Sequence, residues 1–96
     1  MNPMQTYDVT IRIPYDILLN LRKSLVETAA DIRRQAAIRY YQTRALSLGK
    51  AAELAGMSRF EFIDYLRFNG EAIFDYTDAE LEEMKQDALI LERVLS

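Results

Sequence analysis

The segment from Ser47 to Leu66, SLGKAAELAGMSRFEFIDYL, predicts two short helices joined by a tight turn. Ser47 and Ser58 are suitable N-cap residues for the two helices, and Glu61, three residues after Ser58, completes a capping box. Gly56 lies between the helices, where the chain commonly needs a positive φ that glycine adopts without steric cost. Two helices joined in this way form a helix-turn-helix unit, which makes DNA binding the leading functional hypothesis.

The size and composition of the chain limit the other possibilities. Ninety-six residues, 50% of them hydrophobic, are enough for one domain with one small core. The absence of Cys excludes disulfides and thiolate zinc sites, and the absence of His removes the commonest general base and metal ligand. No nucleophile–base pair or closed ligand set is recognisable, so we expect neither an enzyme nor a metal or cofactor site. No signal peptide and no apolar run of roughly 20 residues is present, which predicts a cytoplasmic protein without membrane contact.

Charge is distributed unevenly along the chain, although the net charge is only -3. Residues 1–50 contain eight basic and four acidic residues, whereas residues 51–96 contain four basic and eleven acidic residues. This polarity favours two partners, because the first half suits phosphates and the second half suits a basic protein surface. The alternative is that the charges only keep both halves in solution.

Residues 7–13, YDVTIRI, alternate strictly between apolar and polar side chains. Such alternation with β-branched residues predicts a half-buried strand, which Pro14 ends because it has no N–H group for a ladder. A strand needs a mate for its backbone groups. The mate is either residues 72–76, AIFDY, or the same strand of a second copy, antiparallel about a twofold axis.

The rest of the sequence predicts helices. Apolar residues recur at helical spacing over residues 15–25 and 29–45, with either a break near Val26 to Thr28, which we prefer, or one continuous helix. Thr77, followed by Glu80, predicts the start of a last, amphipathic helix. We therefore expect one mainly α domain: a strand with basic helices over residues 7–45, the helix-turn-helix over 46–68, and an acidic C-terminal segment over 70–96.

Two stretches, SLGKAAELAGMSRFEF and IFDYTDAELEE, carry the most specific part of a family resemblance that covers roughly residues 9–85. Here the chain resembles a family of small prokaryotic proteins known as uncharacterised protein family one-seventy-five. These proteins combine a short N-terminal strand and helix with a helix-turn-helix core. The resemblance implies an antitoxin-like protein that binds DNA and is the partner of a PIN-domain ribonuclease toxin.

Candidate DNA-contacting residues lie in the N-terminal segment, the basic helices and the helix-turn-helix. The start VTIRIPYDILLNLRK resembles that of ribbon-helix-helix proteins, whose outward strand residues enter the major groove. Thr10 and Arg12 would then contact bases, although the neighbouring carboxylate of Asp8 would lower affinity. The predicted DNA-binding residues are Thr10, Arg12, Arg33, Arg34, Arg39, Lys50, Ser58, Arg59 and Arg67. The alternatives are a solvated basic face and a mainly structural helix-turn-helix in which Phe60 and Ile63 are packing residues.

The last predicted helix carries an apolar stripe beside acidic side chains. As an antitoxin tail it would lay this stripe in a groove of a toxin, with its carboxylates against basic residues there. The predicted toxin-binding residues are Tyr76, Leu81, Glu82, Met84, Ala88 and Leu91. The competing interpretation is that the same stripe packs on its own domain.

Together these patterns predict a homodimeric antitoxin of a type II toxin–antitoxin pair, which represses its own operon. Its expected partners are the double-stranded DNA of its own promoter and a cognate toxin. Two alternatives remain: a stand-alone transcriptional regulator, and a protein-interaction module that uses the helix-turn-helix shape without binding DNA.

Overall fold

Five helices follow one another in the computed structural model, which describes the backbone of residues 5–95. They are α1 (Tyr15–Leu21), α2 (Leu25–Gln42), α3 (Leu48–Ala55), α4 (Arg59–Phe68) and α5 (Asp78–Leu95). Side chains are described except those of Ala88 and of residues 91–95. Residues 5–95 contain no β-strand, so the prediction of a short N-terminal strand is wrong and the described fold is all-helical.

The two segments predicted as strand partners are both irregular. The backbone of residues 72–76 is held by Tyr41, whose hydroxyl donates a hydrogen bond to the Phe74 carbonyl at 2.7 Å and accepts one from the Phe74 N–H at 3.0 Å. Alternation determines which way side chains point, but a strand also needs a partner with free backbone groups. The described part of the chain offers residues 7–13 no such partner, and Val9 and Ile11 remain 82% and 59% exposed.

The helix boundaries follow local capping interactions. α1 ends at Leu21, Arg22 adopts φ 56°, and Ser24 caps α2 by accepting a hydrogen bond from the Glu27 N–H. Residues 15–42 therefore form two helices, and the break lies at residues 22–24, whereas Thr28, at the preferred break, is inside α2. The predicted helix ends at Ser47, Gly56, Ser58 and Thr77 are confirmed.

The hydrophobic core lies where α2, α3 and α4 meet. Tyr41 of α2 and Phe62 of α4 are fully buried, and small residues of α3 allow the three helices to approach closely. The first turns of α5 cover one side of this core through Leu81. The buried apolar residues are Ala37, Ile38, Tyr41, Leu48, Ala51, Ala52, Ala55, Phe62, Ile63, Leu66 and Leu81. Among the described helices, none combines the length and the apolar character that crossing a membrane requires.

Tyr41 joins three parts of this core. Its ring stacks on Phe74, with centroids 4.3 Å apart, and meets Phe62 edge-on at 6.2 Å. Desolvation by burial raises the pKa of the Tyr41 hydroxyl above its usual value, so the group stays protonated and is able to donate and accept at once. Arg44 lies 4.5 Å from the Phe74 ring centroid and pairs with Asp75 at 3.4 Å. The segment that leads into α5 is thereby fixed against α2.

We expect Tyr41→Phe to lower the free energy of unfolding by about 2 kcal/mol, because it leaves the backbone N–H and carbonyl of Phe74 without their partner. The aromatic contacts with Phe62 and Phe74 are retained in this variant. Urea unfolding followed by circular dichroism measures the change. Tyr40→Phe is the matched control, since Tyr40 is 48% exposed, and it should alter stability by less than about 0.5 kcal/mol. Equal stabilities of the two variants would show that the hydroxyl of Tyr41 contributes nothing.

Candidate nucleic-acid interface

The turn between α3 and α4 depends on the backbone conformation of Gly56. This residue adopts φ 71° and ψ 30°, and its N–H points to the carbonyls of Ala52 and Glu53. A Cβ at this position would meet no atom within 4 Å, so space is available for a side chain. The positive φ is therefore the reason for glycine here. The turn sets the direction in which α4 leaves α3.

α4 begins with a complete capping box. The Ser58 hydroxyl accepts a hydrogen bond from the Glu61 N–H at 3.1 Å, and the Glu61 carboxylate accepts one from the Ser58 N–H at 3.0 Å. Hydrogen bonds that the Glu61 carboxylate receives from the backbone and the side chain of Ser58 hold the pKa of this carboxyl below its usual value. Ser58, which belongs to the predicted DNA-binding set, is thus already used in starting the helix.

Arg59 has the placement that most favours an anion site. A Cβ on Gly49 would lie 3.0 Å from two nitrogens of the Arg59 guanidinium, so this group rests directly on the first turn of α3. A helix N-terminus presents unpaired N–H groups and the positive end of the helix dipole. The first turn of α3 contains no acidic residue, and Lys50 lies at its third position. The Arg59 guanidinium and the positive end of the α3 dipole therefore lie together at an exposed place, which favours an anion, although the Ser47 hydroxyl already accepts a hydrogen bond from the Lys50 N–H.

Two further predicted cations contact α3. The Arg33 side chain of α2 donates from Nε to the carbonyl of Leu54, near the C-terminal end of α3, at 3.0 Å. Lys50 pairs with Glu53 at 3.2 Å, but both side chains are 68% exposed, so this ion pair is weak and leaves Lys50 able to turn to a ligand. Arg33 thus lies near the C-terminal end of α3 and Arg59 at its N-terminal end, while Lys50 pairs with a carboxylate of the same helix.

The remaining members of the predicted DNA-binding set are spread over the surface. Arg39 and Arg67 lie in the last turns of α2 and α4, and Thr10 and Arg12 lie on the irregular N-terminal segment; all four are exposed. Arg34 is half-buried, and its Nε has no hydrogen-bond partner in the described part of the chain. Within that part, no arginine of the predicted set forms an ion pair. Among the other basic residues of the first half, Lys23, Arg44 and Lys50 each pair with a carboxylate, so only part of its positive charge is available to a ligand.

The outer face of α4 is chemically mixed. Ile63 is only 3% exposed, which confirms it as a packing residue, and Phe60 is half-buried. Asp64 is exposed between the two arginines of this helix. This face alone is a poor surface for reading bases, so the placement of Arg59 at the start of α3 is the stronger observation. The sequence analysis missed this placement, although a glycine inside a predicted helix was a signal of close approach.

Most of the predicted toxin-binding residues that the structure describes pack on their own domain. Leu81 is 6% exposed, and Tyr76 and Met84 pack against the core. Glu82 is exposed, whereas the side chains of Ala88 and Leu91 lie outside the described residues. Further along α5, Leu89 and Ile90 are 40% and 57% exposed and were not predicted. In the described part of the chain, no group of three acidic side chains is placed to hold a metal ion.

Comparison with known proteins gives the chain a family. A model of the uncharacterised protein family UPF0175 matches residues 4–91. The chain belongs to this family. It is 32% identical over 72 residues to a UPF0175 protein from Aeropyrum pernix, which covers 75% of this chain and 80% of that protein. The family resemblance noted in SLGKAAELAGMSRFEF and IFDYTDAELEE is thereby confirmed. No solved structure matches this UPF0175 chain.

We expect Glu61→Gln to destabilise the chain modestly at pH 7, by at most about 1 kcal/mol, because the charged carboxylate is the better partner at the start of α4. The pKa of Glu61 is lower in the folded chain than in the unfolded chain, where it is near 4.5. The carboxylate therefore stabilises the fold above that value, and this contribution is lost as the pH falls through the folded pKa. Urea titrations at pH 7 and pH 3 should show a larger difference from wild type at pH 7 than at pH 3.

The control for this experiment is Glu83→Gln, which removes an exposed carboxylate of α5 that takes part in no hydrogen bond between described side chains. It should change stability little at either pH. An equal loss of stability at pH 7 and pH 3 for Glu61→Gln would show that the charge of this carboxylate is irrelevant to the cap.

Proposed function

We propose that this chain is a DNA-binding antitoxin that represses its own promoter and neutralises a ribonuclease toxin of the PIN-domain class. The observation that carries the proposal is the position of Arg59 on Gly49. It puts a guanidinium beside the positive end of the α3 dipole at an exposed position. A site of this kind binds a phosphate of the DNA backbone, and α4, which begins at Arg59, is then held against the duplex.

The low helix propensity of Gly49 supports a functional role for the contact between Gly49 and Arg59. A glycine inside a helix is less favourable than alanine by roughly 1 kcal/mol. Its φ is not in the left-handed region, so the backbone of α3 does not demand glycine. What the missing Cβ provides is room for the Arg59 guanidinium. Holding a positive group at the positive end of a helix is unfavourable by itself and becomes favourable when an anion binds between them.

The acidic C-terminal helix α5 suits the second proposed partner, the toxin. α5 carries four of the chain's acidic residues between residues 80 and 87 and then exposes Leu89 and Ile90. An apolar pair beside carboxylates suits a basic groove on another protein. Because Leu81 and Met84 pack on the chain's own core, the first turns of α5 anchor the helix and the later turns are the part that meets the toxin.

We expect Arg59→Ala to weaken binding to the chain's own promoter DNA by about tenfold or more, because a charge-assisted hydrogen bond to the DNA is removed. The slope of log K against log salt should fall by about 0.9 for each phosphate that the variant no longer neutralises. Fluorescence anisotropy with labelled promoter DNA at several salt concentrations measures both quantities. Lys85→Ala removes the same charge from an exposed position on α5 and should leave affinity and slope unchanged.

Gly49→Ala is the sharper companion variant, because it leaves every charge in place. The new Cβ would displace the end of the Arg59 side chain, while alanine favours the helix. The variant should therefore be more stable than wild type by about 0.5 to 1 kcal/mol and yet bind DNA more weakly. Wild-type affinity in both Arg59→Ala and Gly49→Ala would remove the basis of the proposed DNA contact. The chain would then act as a protein-interaction module.

We expect Leu89→Asp combined with Ile90→Asp to abolish neutralisation of a toxin encoded beside the chain, because the two substitutions replace the exposed apolar pair of α5 with charges. DNA binding should remain at the wild-type level. A ribonuclease assay with purified toxin and increasing amounts of antitoxin measures the effect. Phe68→Asp is the control, since Phe68 is 89% exposed but lies at the end of α4. Full neutralisation by the α5 variant would contradict the assignment of Leu89 and Ile90 to toxin binding. If no toxin gene lies beside the gene of this chain, a stand-alone regulator is favoured.

A further inference from the structure

The end of α4 contains the pair of residues in which an asparagine loses its side-chain amide most readily. Asn69 is followed by Gly70, and both are exposed to solvent. The backbone nitrogen of the second residue attacks the side-chain carbonyl carbon of the asparagine, and glycine has no side chain to hinder the approach. Asn20, the other asparagine of the described chain, is followed by Leu21, whose branched side chain hinders the same attack.

The reaction needs no partner other than water. The Gly70 nitrogen gives up its proton and bonds to Cγ of Asn69, and the bond from Cγ to Nδ2 breaks as ammonia leaves with a proton. Water then opens the five-membered succinimide ring at either of its two carbonyls. One product has aspartate at this position. The other has isoaspartate, in which the backbone runs through the former side chain.

The folded end of α4 opposes each part of this attack. The Gly70 N–H donates to the carbonyl of Arg67 at 3.0 Å, so the nitrogen keeps its proton. Nδ2 of Asn69 donates to the carbonyl of Tyr65 at 2.7 Å, which holds the side chain back along the helix. Asn69 has a ψ of 5°, which turns the Gly70 nitrogen away from Cγ, whereas ring closure needs the two atoms on the same side.

These protecting contacts belong to one structural unit. Gly70 adopts φ 71°, and the N–H of the next residue, Glu71, donates to the carbonyl of Leu66 at 2.9 Å. With the hydrogen bond from Gly70 to Arg67, this completes a Schellman motif at the end of α4. Helix ends open at a lower free-energy cost than a packed core, and when this end opens its hydrogen bonds are lost together.

We propose that Asn69 is a conformationally gated deamidation site. The amide is retained while the Schellman motif is formed and is lost when the motif opens. The change prevents the end of α4 from closing again as before, because a carboxylate cannot donate to the Tyr65 carbonyl and is unfavourable at the negative end of the helix dipole. Isoaspartate lengthens the backbone and displaces Gly70 and Glu71 from their carbonyl partners. Opening of this helix end thus leaves a permanent chemical mark, whether or not the chain binds DNA.

Incubation of the full chain at mildly alkaline pH, with and without concentrated urea, tests the gate. Peptide mapping by mass spectrometry measures aspartate and isoaspartate at both asparagines. Conversion at Asn69 should be about tenfold or more faster in urea than in buffer, whereas Asn20 should change little in either. Equal rates at Asn69 in buffer and in urea would overturn the gating by the fold. Conversion of Asn20 in urea as fast as that of Asn69 would overturn the role of Gly70.

The variant Asn69→Asp tests what the modification does to the helix. Asn20→Asp is the matched control, because it also introduces a carboxylate in the last turns of a helix, at an exposed position. The urea midpoint of unfolding should fall in Asn69→Asp and change little in Asn20→Asp, since only the former loses the hydrogen bond to the Tyr65 carbonyl. Equal midpoints in the two variants would show that the modification does not weaken the end of α4.

Discussion

The hydrogen bonds between the Tyr41 hydroxyl and the backbone of Phe74 hold the helical chain together at its most connected point. Tyr41 is fully buried on α2, meets Phe62 of α4 edge-on, and binds the segment that leads into α5. Because one side chain satisfies both the N–H and the carbonyl of Phe74, this segment needs no strand partner. The position of α4, and with it the site at Arg59, depends on a core that this residue organises.

The segment that Tyr41 binds was one of the two partners expected for residues 7–13. Tyr41 binds the N–H and the carbonyl of Phe74, and residues 72–76 form no strand. Residues 7–13 have no strand partner among the described residues, and Val9 and Ile11 are exposed.

A feature could be predicted from the sequence when the interacting residues are close together along the chain, and not when they are far apart. The caps at Ser58 and Thr77 involve residues three positions apart, so the local pattern was enough. The cap of α2 at Ser24 has the same spacing to Glu27, but it was not predicted, because the break was expected near Val26 to Thr28. Tyr41 could not be distinguished from the other tyrosines, because its role depends on Phe74, 33 residues away. The strand prediction failed for the same reason, and so did recognition of the contact between Arg59 and Gly49, since each depends on packing between distant segments.

Amide hydrogen exchange, followed by nuclear magnetic resonance in dilute solution, most directly tests whether Tyr41 binds the backbone of Phe74 while residues 7–13 have no backbone partner. We expect slow exchange of the Phe74 N–H, because Tyr41 binds it, and fast exchange at Val9 and Ile11, because their N–H groups have no partner in one chain. Fast exchange at Phe74 together with slow exchange at Val9 and Ile11 would contradict it.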